Sequence, residues 1–212
     1  MGRKVSASTP APHIIAAHSM GGHIVMRAVG DGLIAPDGLI FSAPMFAVKG
    51  PPVPDEWGIK YARMMVRMKG AQAPAWTISE KPGATMRARQ AMLTRDDARY
   101  DDERFWRAAR PGLELGPGTW GWVLAAMESI AHIAAPGYVE RLTCPSFTFA
   151  TDGDQLVRTQ RARELVARMP DAEIFVAPKP VGHEMLREVD AVRDDVMGRI
   201  GRFLDRVAPA RP

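Results

Sequence analysis

Ala17-His18-Ser19-Met20-Gly21 sets a serine between two very small residues, each two positions away. That spacing fits a sharp strand-to-helix bend in which a strained backbone projects the serine Oγ clear of the sheet. Small flanking side chains let strand and helix approach each other; Ala17, where the pattern has glycine, adds one methyl group. A hydroxyl near its ordinary pKa is a poor nucleophile, so it needs a base, and the base needs an orienting acid. Both lie downstream in loops. Thr151-Asp152-Gly153-Asp154-Gln155 follows one apolar run, and Pro180-Val181-Gly182-His183-Glu184 follows the next. Serine, acid, histidine is the chain order of a triad carried on successive strand ends. A bare small-x-Ser-x-small match also arises as an ordinary turn, so the weight rests on three placements in the right order.

Rivals narrow by position. His13 opens the first apolar run and His23 lies one turn into the following helix, where either can be structural. His18 adjoins the serine too closely in sequence to fold back as its base, and His132 sits in an apolar helical stretch. His183 alone lies in a loop after a strand. For the acid, Asp154 competes with Asp152, which precedes a glycine and suits a tight turn; Asp154 is preferred.

The elements that must position these groups read as an α/β pattern. His13–Ala17, Gly38–Ala43, Cys144–Ala150 and Glu173–Ala177 are short apolar runs of strand length. A helix follows the serine through Ile24, Val25 and Ala28 and stops at Gly30-Asp31-Gly32; another runs from Arg158 to Met169. A last helix carries Val189, Val192, Val196, Ile200, Phe203 and Val207 on one face. Between the second and third strands the texture turns helical, giving an expected discontinuous core over 11–44 and 141–208, an insertion over 45–140 and a polar lead-in over 1–10. In the insertion Tyr61, Met64, Met65 and Met68 recur at helical spacing opposite Lys60, Arg63 and Arg67. Further helices are expected around Ala84–Leu93, Asp101–Ala109 and Gly121–Ala134.

Composition bounds the rest. The 212 residues suffice for one sizeable core, and 46% hydrophobic with 25% charged residues is globular composition. The single cysteine, Cys144, excludes an intrachain disulfide framework, and neither a zinc motif nor a calcium loop occurs, so no metal is expected. Gly21-Gly22 lacks the spacing of a phosphate or dinucleotide loop, and no cofactor is implied. The net charge of +4 is dispersed among acidic neighbours; Lys60, Arg63, Arg67 and Lys69 form the one compact basic group, which reads as a solvated helix face and not a nucleic-acid stripe. No run is long enough to span a bilayer, and Met1-Gly2-Arg3-Lys4 opens no signal peptide, which gives a cytoplasmic expectation.

With the triad candidates in place, the sequence resembles the α/β-hydrolase superfamily, and within it the lysophospholipase and monoacylglycerol lipase group, also known as the serine aminopeptidase S33 or hydrolase-4 domain. The resemblance runs from about His13 over nearly all of the chain. It is carried by Ala17-His18-Ser19-Met20-Gly21-Gly22, Ser42-Ala43-Pro44-Met45, Leu93-Thr94-Arg95-Asp96, Pro117-Gly118-Thr119-Trp120-Gly121-Trp122, Asp154-Gln155-Leu156-Val157 and Gly182-His183-Glu184-Met185-Leu186. It implies Ser19 as nucleophile, His183 as base, Asp154 as orienting acid and the Met20 amide as an oxyanion donor. The insertion would be a cap over a pocket for an apolar group, with Met64, Met65 and Met68 either binding that group or packing the cap on the core. The expected reaction is hydrolysis of a small-molecule or lipid ester, with at most peripheral membrane contact. The family has about eight strands and a His-Gly loop supplying a second oxyanion donor, whereas four strands are countable here. The expected fold is therefore the C-terminal portion of an α/β-hydrolase, with about four mainly parallel strands plus the cap. A catalytically impaired fragment acting as a binding module is the competing expectation.

Overall fold

The computed structural model describes residues 10–50, 54–76, 86–113 and 116–209. The expected lead-in therefore falls outside the described residues except for Pro10, as do Pro51 and Pro52. Four strands form one parallel sheet in sequential order: β1 (Ile14–His18), β2 (Gly38–Ser42), β3 (Ser146–Thr151) and β4 (Ala172–Ala177). Parallel strands covered on both faces read as continuous apolar runs, and every residue of β2 and β3 is buried. Side chains alternate across the sheet with a period of two. Leu39 and Phe41 pack on one side with Met26 of α1 (Met20–Gly30) and Leu165 of α6 (Thr159–Val166). Ile40, Phe147 and Phe149 point to the other side, against Val196 and Phe203 of α7 (Asp190–Val207). Among the described residues β1 pairs with β2 alone, so its outer edge carries no strand.

Among the described residues between β2 and β3 lie the helices α2 (Asp55–Lys69), α3 (Met86–Leu93), α4 (Asp97–Ala109) and α5 (Trp120–Ala134). α4 starts four residues before the expected position. The Asp96 carboxylate accepts from the Arg99 amide at 3.0 Å and caps the helix, so a charged run becomes its first turn. Among the described residues, no helix is long and apolar enough to cross a membrane.

α2 corrects one expectation. It packs on α5 through Gly58, Ala62 and Met65, and a Cβ at Gly58 would strike the Met127 side chain. Only Met65 of the expected stripe is buried; Tyr61, Met64 and Met68 are exposed, Met68 by 71%. Small residues win the packing face because they let the two helix backbones approach. The bulkier apolar row is left one-quarter turn away, facing outward.

Candidate active site

Ser19 links the end of β1 to the start of α1 with φ 50° and ψ −118°, a left-handed backbone that costs a non-glycine residue energy. The bend is held from outside: the Ser19 amide donates to Ser42 O at 2.9 Å, and Met45 N donates to Ser19 O at 2.9 Å. A serine at a helix start ordinarily caps it, but this side chain makes no such bond. The strain instead frees the hydroxyl. Met20 opens α1, so its N–H belongs to the first-turn amides that have no intrahelical acceptor. The close approach of strand and helix occurs one residue later than the motif suggests. A Cβ at Gly21 would meet nothing within 4 Å, whereas one at Gly22 would lie 3.0 Å from Pro44 Cβ.

The two downstream loops converge. His183 Nδ1 lies 2.5 Å from Asp154 Oδ2, with both residues 2% exposed. The other oxygen of Asp154 accepts from the amides of Leu156 and Val157 at 2.8 and 2.9 Å, which fixes the carboxylate's plane. Lys49 Nζ donates to the Asp154 carbonyl at 2.7 Å, and Thr151 Oγ1 donates to Val181 O at 3.0 Å, drawing the loops together. A side chain at Gly153 would collide with the Val181 carbonyl, so this position must lack one. Asp152, the competing acid, points away to an exposed ion pair with Arg163 at 3.1 Å.

The elbow meets the histidine loop through His18, whose ring packs edge-on against that of His183 with centroids 4.8 Å apart. His18 Nδ1 pairs with Ser42 Oγ at 2.9 Å. One side of the residue stays open to solvent, yet packing of the ring first, and the facing His183 second, lower its pKa to about 4. Its position in the chain had excluded it as a base; its contact with His183 was not legible there. Elsewhere, His23 bonds Ser129 Oγ at 2.6 Å and is held below its ordinary value chiefly by burial, while His132 faces Asp31 at 3.9 Å. Neither shares the site.

Beside the elbow, α2, α5 and the segment after β2 enclose an apolar cavity of about 510 Å³. Trp57, Tyr61, Trp76, Trp122 and Met127 line it, and Trp122 Nε1 donates to Met20 Sδ at 3.4 Å, joining the cavity wall to the residue after Ser19. Met64, Met65 and Met68 are not among its lining residues. Trp57, Trp76 and Trp122 line it instead. Only Trp122 had been singled out, within a motif, because the wall is assembled from segments far apart in sequence.

The family described as "Serine aminopeptidase, S33" (Hydrolase_4) matches residues 3–190. No curated protein sequence matches the chain. A soluble variant of monoglyceride lipase from Saccharomyces cerevisiae, solved with a substrate analog, superposes with a TM-score of 0.70 at 17% identity, covering 98% of this chain and 68% of its own. A carboxyl esterase from Bacillus coagulans, solved with glycerol, gives 0.67 at 17% identity over 97% and 68%. The monoacylglycerol lipase of Paleococcus ferrophilus gives 0.66 at 16% identity over 91% and 68%. These likenesses establish a shared fold.

Proposed function

Because the chain belongs to the serine aminopeptidase S33 family of α/β-hydrolase enzymes, we propose that it hydrolyses carboxylic esters of apolar acyl groups, of monoacylglycerol or lysophospholipid type, through Ser19, His183 and Asp154. The observation that carries this reading is the buried His183–Asp154 pair, whose histidine packs against His18, the residue before a serine with a strained backbone and no capping bond. Asp154 accepts from His183 Nδ1–H and so leaves Nε2 as the basic nitrogen. Nε2 takes the Ser19 proton as Oγ attacks the ester carbonyl carbon, and the negative oxygen that forms is met by the Met20 N–H. Collapse of this intermediate breaks the bond to the alcohol, which leaves with the proton held by His183. Water, deprotonated by the same ring, then releases the acid and restores Ser19. The apolar cavity beside Met20 supports an acyl chain as the group bound, since its aromatic wall gains about 0.8 kcal/mol for each buried methylene.

The test is labelling by a fluorophosphonate probe in the wild type and in Ser19→Ala, with turnover of a p-nitrophenyl ester series alongside. Ser19-dependent labelling supports the assignment; labelling that survives Ser19→Ala refutes it.

The outer face of α2 supports delivery of substrate from an anionic lipid surface. Trp57, Tyr61, Met64 and Met68 form one exposed row, flanked by Lys60 and Arg67, and the first two also line the cavity. An amphipathic helix with a basic flank is suited to lie in such an interface. A basic residue near an anionic surface contributes about 1 kcal/mol, so Lys60→Glu with Arg67→Glu should weaken co-sedimentation with phosphatidylserine vesicles at least tenfold. Unchanged binding removes this part of the reading.

A further inference from the structure

Glu188 is a carboxylate with no exposed surface, five residues beyond His183 and outside the reacting groups. A buried charge persists only where donors surround it, and here they come from two directions. Gly182 N donates to Oε1 at 2.8 Å, and Val189 N to Oε2 at 3.2 Å, both from the loop that carries His183. From the insertion, the Arg95 amide donates at 3.3 Å, and Arg95 Nε reaches both oxygens at 3.2 and 3.3 Å.

The backbone repeats this connection. His183 N donates to Met92 O at 3.0 Å and Glu184 N to Leu93 O at 2.8 Å, so the segment ending α3 holds the histidine's own amide. Thr94 Oγ1 donates to Arg187 O at 2.7 Å, and Arg99 reaches the Glu188 carbonyl and the Asp190 carboxylate. A Cβ at Gly182 would stand 2.5 Å from Leu93 O, so the two segments touch without room for a side chain.

We propose that Glu188 is a positioning residue. Through the Gly182 amide it fixes the loop in which His183 faces Asp154, and through Arg95 it makes that placement depend on the insertion. Leu93-Thr94-Arg95-Asp96 is then a buckle for the base and not merely part of a cover. This rests on the hydrolase reading of His183, yet its structural half can be measured without turnover. A displacement of about 1 Å in a reacting group costs on the order of a hundredfold in rate, and loss of the Gly182 anchor permits movement of that kind.

The experiment uses the full chain and two readouts: the rate of fluorophosphonate labelling, and the downfield proton resonance of His183 Nδ1–H, assigned by its loss in His183→Gln. Glu188→Ala should slow labelling at least tenfold and broaden the resonance, while far-ultraviolet circular dichroism stays unchanged. Glu188→Gln keeps an acceptor for Gly182 N and should recover labelling to within about threefold of wild type. Arg95→Ala, at a partly exposed side chain, should slow labelling between these limits and covers the case in which Glu188→Ala does not fold. Wild-type labelling and resonance in folded Glu188→Ala, or in Arg95→Ala where the former is unfolded, overturn the proposal. So does a glutamine variant no better than alanine. If the wild type is unlabelled while the resonance still responds to Glu188→Ala, positioning stands and the hydrolase reading falls.

Discussion

Asp154→Asn changes one atom of the carboxylate and isolates the orientation of one proton. The oxygen that accepts from Leu156 and Val157 is preserved in the amide, so the loop keeps its two backbone bonds at 2.8 and 2.9 Å. The group facing His183 Nδ1 at 2.5 Å becomes an N–H donor. It forces the ring proton onto Nε2, the nitrogen that accepts from Ser19 in the proposed mechanism. A base in the wrong tautomer costs about 10⁴ in turnover, or about 5 kcal/mol at 1.36 kcal/mol per tenfold. The assay is the pseudo-first-order rate of Ser19 phosphonylation by excess fluorophosphonate, with loss of fluoride, and Asp152→Asn is the matched control. Asp152 is half exposed and paired with Arg163 at the surface, where such pairs contribute about 0–1 kcal/mol, so its variant should react at the wild-type rate. Phosphonylation of Asp154→Asn within tenfold of wild type, or a deficit confined to Asp152→Asn, would falsify the assignment of the acid.

Three further outcomes are expected. Trp122→Ala opens the cavity wall beside Met20 and should raise KM for an octanoyl ester about tenfold while leaving an acetyl ester unchanged, the loss of roughly two methylenes' worth of burial; equal effects on both esters would remove the cavity from substrate binding. Gly21→Ala should raise the unfolding free energy by about 0.5–1 kcal/mol through helix propensity, because its Cβ enters open space, whereas Gly22→Val should lower it by about 1–3 kcal/mol against Pro44. Denaturant midpoints read both, and the reverse order would contradict the packing described. The folded chain holds His18 at about 4 and lowers His23, against an unfolded value near 6.5. The unfolded state therefore binds these protons first, and stability declines as pH falls from about 6.5 toward 4. His18→Asn should flatten part of that decline in urea titrations; an unchanged slope would show that the ring is solvated.

The sheet was legible because buried parallel strands are continuous apolar runs: Leu39-Ile40-Phe41 and Phe147-Thr148-Phe149 need no partner to be recognised. The separate positions of Ser19, Asp154 and His183 were legible because each follows a strand. Their supports were not. Glu188 is an unremarked acid in a charged stretch until Gly182 and Arg95 fold onto it, and Lys49 gains meaning only at the Asp154 carbonyl. On α2 the spacing identified an amphipathic row correctly, but periodicity carries no direction. Gly58 and Ala62 determined which side faces α5, and the larger residues were displaced outward.

Among the ties of the segment between β2 and β3 to the rest of the fold, two lie at remote places. Ser129 of α5 is hydrogen-bonded to His23 at 2.6 Å and accepts from Arg27 at 2.8 Å, both on the helix that begins at the elbow, while Met92 and Leu93 hold the loop bearing His183. It thus works as a crossbeam between the two supports. Trimming its far tip would leave both supports braced, but exchanging the whole beam for a short flexible linker would let hydroxyl and imidazole drift apart with the sheet still folded.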